Sequence, residues 1–149
     1  MAEIVNKITR ENILAFEQEV SKLPGVVFGD SDMLPLKHSF ADGMYVREMF
    51  IPKGHWVIGK IHKHSHPSFL MKGKILVITE QGKQVLDAPL TVIAPAGTKR
   101  IGIALEDTIW VTCHATKETD LDKIEEDVIV KSFEEFDQLQ GGKLCLLQQ

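Results

Sequence analysis

The chain has 149 residues, 44% of them hydrophobic and 26% charged, with 21 acidic and 17 basic side chains. This is the balance of a soluble globular protein large enough to bury a core, and it excludes a disordered or membrane-embedded chain. A formal charge of −4 also argues against a nonspecific nucleic-acid binder, so no nucleic-acid partner is expected.

Thr9 to Leu23 has helical periodicity, with Ile13, Phe16, Val20 and Leu23 on one stripe, Thr9 as N-cap and Pro24-Gly25 as the stop. From Val26 the pattern changes to short apolar runs separated by Gly, Pro and Asp, as in an all-β domain. Strands are expected at Tyr45–Ile51, Trp56–His66, Phe69–Thr79, Gln84–Leu86, Leu90–Ala94, Arg100–Leu105 and Thr108–His114. Short strands at this spacing predict an antiparallel barrel or sandwich over about Val26 to Ala115. Helical character returns in an acidic segment from Thr119 to about Asp127, and Val128–Lys131 reads as a brief extended piece. Ser132-Phe-Glu-Glu135 reads as a capping box for a last helix that Gly141-Gly142 should end. The C-terminal helical extension thus runs from about 119 to 140 of a single 149-residue domain. The apolar tail from Lys143 to Gln149 is expected to pair with a strand edge or a partner subunit, and a homodimer is the expected assembly.

The chemistry gathers at Gly59-Lys-Ile-His62-Lys-His64-Ser-His66-Pro67. Three histidines at alternate positions share one face of an extended strand, and neutral imidazole is a strong ligand for divalent metals. His114, ending a later strand on the face of Trp110 and Thr112, is the candidate ligand from the far side of a barrel. The candidate metal set is therefore His62, His64, His66 and His114, for zinc, iron, manganese or nickel. Five lysines and no acid occur between Pro52 and Lys74. With Arg100 they suggest a cationic pocket for a small anionic ligand, and Lys60, on the histidine face by alternation, is assigned to it together with Arg100. The competing reading of these lysines is a solvated outer face. Cys113 and Cys145 have no metal-type spacing and read as reduced thiols of a cytoplasmic protein.

Gly54, His62-x-His64, Gly73 and the later Pro95-x-Gly97 resemble the two-motif signature of the cupins. The resemblance covers roughly Tyr45 to His114. It implies an antiparallel β-barrel (a double-stranded β-helix) holding one metal on two His and a Glu of the first motif and a His of the second. The slot for the Glu falls on Ser68, Phe69 or His66, depending on the end counted from, and the slot for the last His holds Arg100. A guanidinium cannot ligate a metal. The run from His38-Ser-Phe-Ala-Asp-Gly through Pro95-Ala-Gly-Thr-Lys-Arg100 is more narrowly similar to small single-cupin proteins of tailed phages and bacteria, which would place the protein in a host cytoplasm or a virion. Two functions follow from the resemblance and the residues. One is a non-catalytic cupin serving ligand binding or assembly, with an optional divalent metal. The other is a metal-dependent cupin enzyme, of dioxygenase or isomerase type, acting on a small anionic substrate.

Overall fold

The computed structural model describes residues 7–26 and 34–147, with only the backbone considered for 142–147. The helix α1 (Arg10–Ser21) opens on a reciprocal capping box, the Thr9 side chain accepting from the Asn12 amide and the Asn12 side chain from the Thr9 amide. Strands follow in the order β1 (Leu36–Ala41), β2 (Met44–Ile51), β3 (Trp56–Ile58), β4 (Ile61–His62), β5 (His66–Lys72), β6 (Lys74–Thr79), β7 (Gly82–Asp87), β8 (Leu90–Ala94), β9 (Ile101–Ala104) and β10 (Thr108–Ala115). The chain closes with α2 (Leu121–Val128), β11 (Ile129–Val130) and α3 (Phe133–Leu147).

The strands form a five-stranded sheet, β1-β2-β10-β5-β8, a four-stranded sheet, β3-β9-β6-β7, and the small pair β11-β4, with antiparallel pairing throughout. The expected all-β core with flanking helices is thus present. Between the two larger sheets lie Ile51, Leu70, Ile75, Val77, Leu86 and Ala104, packed by Met49, Val57 and Trp110. A second cluster joins Ile61 to Val130, Phe133 and Phe136, and a third joins Tyr45 to Ile124 and Val128, so the C-terminal extension seals one end of the strand core. Helix α1 is fastened by Ile13, which is 1% exposed, by stacking of Phe16 on Trp56 at 5.5 Å and by Arg10 over Phe133 at 4.5 Å.

Several expected elements are divided differently. The run Trp56–His66 is not one strand: it breaks after Ile58 and again between His62 and His66, where residues 63–65 turn before Pro67. Phe69–Thr79 divides at Gly73, whose φ of 91° lets the chain pass from the five-stranded to the four-stranded sheet. A Cβ on Gly73 would stand 2.3 Å from the Asp107 carbonyl oxygen, so only glycine fits. Gly97 of Pro95-Ala-Gly has a comparable role, its φ of 81° and missing Cβ making room for the Phe136 ring. Leu36–Ala41 is a strand that sequence punctuation did not single out. At the other end, α3 does not stop at Gly141-Gly142 but continues to Leu147. Glycine weakens a helix by roughly 1 kcal/mol per residue without forbidding it. The tail backbone to Leu147 is therefore helical rather than extended. The Ser132 hydroxyl does cap the helix, accepting from the Glu135 amide, but the Glu135 carboxylate reaches back to the Lys131 amide instead of closing the box on Ser132. The start of the expected barrel at residues 27–33 and the last residues, 148–149, lie outside the described residues.

Candidate functional site

Cross-strand register sorts the inner face of the five-stranded sheet into layers. One row is apolar: Leu36 opposite Met49, then Trp110, Leu70 and Leu90. The next is polar, with His38, Arg47, Thr112, Ser68 and Val92 side by side. Beyond it, Phe40 faces Tyr45 and Tyr45 faces His114, while His66 faces Ala94. A strand places every second residue on one face, so these assignments follow from the buried positions Tyr45, Ile51, Thr108, Thr112, His114, His66, Ser68 and Leu70.

Three of the four candidate metal residues meet in this last layer. The rings of His62 and His66 are 4.3 Å apart, those of His66 and His114 4.6 Å, and those of His62 and His114 5.3 Å and nearly parallel. One ligand nitrogen from each lies within 4.8 Å of the others. His64 is not among them. Its side chain is exposed, because the chain leaves strand geometry between His62 and His66 and the alternation expected to put all three on one face does not hold there. The same turn is what lets His66 approach His62, since a straight strand would separate their Cα atoms by about 13 Å.

Arg100 enters this cluster from the side. Its Nη2 donates to His66 Nε2 at 3.1 Å, and both terminal nitrogens stand 3.4 Å from the Ser68 hydroxyl. Its guanidinium lies over Trp110 at 5.0 Å. Arginine only donates, so His66 Nε2 is the acceptor and the ring proton is on Nδ1, which faces the His64 carbonyl at 3.4 Å. His114 Nε2 stands 3.1 Å from the Thr112 hydroxyl. Buried His62 Nδ1 has no hydrogen-bond partner among the described residues. Lys60, in contrast, points away: it is 63% exposed and ion-paired with Glu125 of α2, so the expected pairing of Lys60 with Arg100 in one pocket is not found. Lys60 precedes β4 in an irregular segment, where strand alternation gives no direction.

The electrostatics are those of neutral rings around a fixed cation. Burial first, then the neighbouring His66, His114 and Arg100, hold His62 down to about 3. Burial, followed by His66, Arg47 and Arg100, holds His114 down to about 4, and burial with Arg100 lowers His66. Burial alone pulls Arg100 to about 10, and it forms no ion pair with a carboxylate among the described residues. Such a layer is positive and rich in donors.

Three neutral imidazoles, one with an orphaned buried nitrogen, suit a borderline divalent metal in kind and number. Arg100 opposes it, because it uses the His66 lone pair that a metal would need and places a positive charge beside it. The triad could hold a metal, in competition with Arg100.

Alternation gives Tyr45 and Arg47 one shared face of their strand without saying whether it is the interior one. They belong to the inner wall, Tyr45 4% exposed and in contact at 2.6 Å through its hydroxyl with His38 Nδ1. Ser68, one of the positions on which the motif's Glu slot falls, and Thr112, placed by alternation alone, are also buried here.

No protein-family model and no curated protein matches the chain. Solved structures do. KdgF from Halomonas sp. has a TM-score of 0.53 at 16% identity, covering 63% of this chain and 90% of that one. An RmlC-like cupin from Shewanella frigidimarina gives 0.51 at 17%, covering 66% and 96%. Ectoine synthase from P. lautus gives 0.55 at 11%, covering 68% and 78%. Identities this low speak to architecture and not to activity. With the two-sheet antiparallel core, the glycine turns at Gly73 and Gly97 and the inward histidines, they show that the chain has the cupin fold.

Proposed function

We propose that the protein is a non-catalytic cupin that binds a small anion at Arg100, with a divalent metal on the histidines as an optional occupant. The observation that carries this reading is the guanidinium itself. It is partly buried, ringed by neutral acceptors and an aromatic face, and lacks a carboxylate partner among the described residues. A guanidinium in that setting attracts an anion, and its planar fork matches carboxylate or phosphate. Arg47, in the same polar row beside Thr112, adds to the positive potential.

The test is calorimetric titration of inorganic phosphate and of acetate into wild type and Arg100→Gln at low ionic strength. The glutamine stays polar but removes the charge and, being two atoms shorter, the guanidinium's contacts with His66, Ser68 and Trp110. One of the two anions should bind wild type, weaken with added salt and lose about 10- to 100-fold in the variant, as expected for a charge-assisted contact. If neither binds, or if the variant binds equally well, the reading is wrong.

The second reading, a metal-dependent enzyme, is favoured by one observation, the orphaned Nδ1 of His62 within the three-histidine group. His62, His66 and His114 would hold the ion, and Arg100 would orient an anionic substrate. A bound divalent ion supplies Lewis-acid polarisation of a substrate oxygen. Elemental analysis of protein purified without a histidine tag separates the two readings, a stoichiometric metal favouring the second.

A further inference from the structure

Of the three clustered histidines, His66 is the one whose lone pair is engaged by a permanent cation. Its Nδ1 carries the ring proton toward the His64 carbonyl at 3.4 Å, so Nε2 is the nitrogen left to ligate a metal. That same atom accepts from Arg100 Nη2 at 3.1 Å. His62 keeps a buried Nδ1 with no partner, and His114 Nε2 meets the Thr112 hydroxyl, whose proton is free to rotate away. A metal on all three rings therefore requires Arg100 to give up His66.

The remaining hydrogen bonding of the guanidinium is loose. Both terminal nitrogens stand 3.4 Å from one neutral oxygen, Ser68 Oγ, and no carboxylate among the described residues pairs with them. Nη1 and Nη2 form the edge that a carboxylate or phosphate grips with two parallel bonds of about 2.7–2.9 Å. Nη2 belongs to both arrangements, as the His66 donor and as half of that edge. An anion on the edge draws Nη2 off His66 and offsets the positive charge beside the ligand nitrogens.

We propose that Arg100 is a gate between the two occupants of this layer: an anion on its guanidinium edge releases His66 Nε2, so anion and divalent metal each strengthen the binding of the other. This rests on the anion reading above and adds regulation to the same site. The two-state element is one side chain, with Nη2 either on His66 or on the anion. Without an anion, the guanidinium holds the third ligand and the triad is a poor metal site. With one, three neutral imidazoles face a neutralised arginine. Linkage makes the effect reciprocal: a metal on the triad frees the fork and raises anion affinity by the same factor.

Zinc affinity of the full chain, read by competition with a chromophoric chelator without anion and with saturating acetate or phosphate, tests the gate. The chelator reports free zinc, so complexes between zinc and the anion in solution cancel. Whichever anion binds wild type in calorimetry should raise zinc affinity at least about 10-fold, within the range usual for coupled sites. Loading the protein with one equivalent of zinc should lower the Kd of that anion by the same factor. In Arg100→Gln, zinc affinity should be raised from the outset and unmoved by the anion. The proposal is overturned by zinc affinity that is unchanged or weakened when the anion binds, or by zinc that binds in neither condition. Coupling of equal size in Arg100→Gln also overturns it, because the anion would then bind the zinc and not the arginine. Anion binding without any coupling sinks the gate alone, whereas no anion binding to zinc-free wild type sinks the anion reading and the gate together. The two reciprocal titrations of wild type decide the matter even if the variant does not fold.

Discussion

Replacing Arg100 by glutamine tests whether the site is built for binding at the expense of stability. Burial lowers the Arg100 pKa to about 10. A fall of roughly 2.5 from its ordinary value, at about 1.4 kcal/mol each, puts the cost of keeping the charge there at roughly 3–4 kcal/mol. Against this stand the hydrogen bond to His66, of order 1.5–3 kcal/mol for a charged donor, and the contact with Trp110, of order 0.5–1 kcal/mol. The terms nearly cancel, so the charge contributes close to nothing to folding. Glutamine removes the burial cost and, being two atoms shorter, gives up the contacts with His66 and Trp110 as well. Arg100→Gln should therefore stay within about 1 kcal/mol of wild type, a Tm change of no more than about 4 °C. Breaking a structurally required buried pair costs ~3–5 kcal/mol instead. Scanning calorimetry with and without the anion that binds reads both effects: that anion should raise the Tm of wild type and leave that of the variant unmoved. A loss of more than about 2 kcal/mol in the variant would falsify the reasoning, because Arg100 would then be a structural partner rather than a charge held for a ligand.

The depressed histidines make folding pH-dependent with a definite sign. His62 and His114 titrate near 3 and 4 when folded but near 6.5 when unfolded, so the unfolded chain binds more protons between those values. Stability should be complete above about pH 6.5 and fall toward pH 4, by up to about 2 kcal/mol per histidine at pH 5; equal urea midpoints at pH 5 and 7.5 would contradict this. If zinc binds, His66→Ala or His62→Ala should reduce uptake at least about 10-fold while His64→Ala leaves it unchanged, read by equilibrium dialysis and elemental analysis. Zinc affinity should also rise at least about 10-fold in Arg100→Gln, since a positive charge beside the ligands is removed; unchanged affinity would show that Arg100 does not compete. Gly73→Ala should cost about 2 kcal/mol or more, from positive φ and a 2.3 Å approach to the Asp107 oxygen, measured by chemical denaturation.

Periodicity by itself determined the succession of a first helix, a strand-rich core and closing helices, though not every strand in it. Leu90–Ala94 is a strand at both expected ends, Thr9 caps the first helix, and the return to helix after His114 is present in α2 and α3. These features are local, set by side-chain spacing, turn residues and caps, and they can be read without neighbours. The candidate site was legible in part for the same reason: His62, His66, His114 and Arg100 were recognisable as chemistry from their types and spacing. Their arrangement was not. His64 leaves the cluster because the chain turns between His62 and His66, and nothing in alternate histidines reveals a turn. Lys60 is drawn off by Glu125, a partner 65 positions away. The face of Arg47 and Tyr45 could not be chosen because Val46 and Phe50 make the other side of β2 as apolar as Met49 and Ile51 make the inner one. Only tertiary packing decides between two apolar faces of one strand, since burial is a property of what lies across the sheet and not of the strand itself.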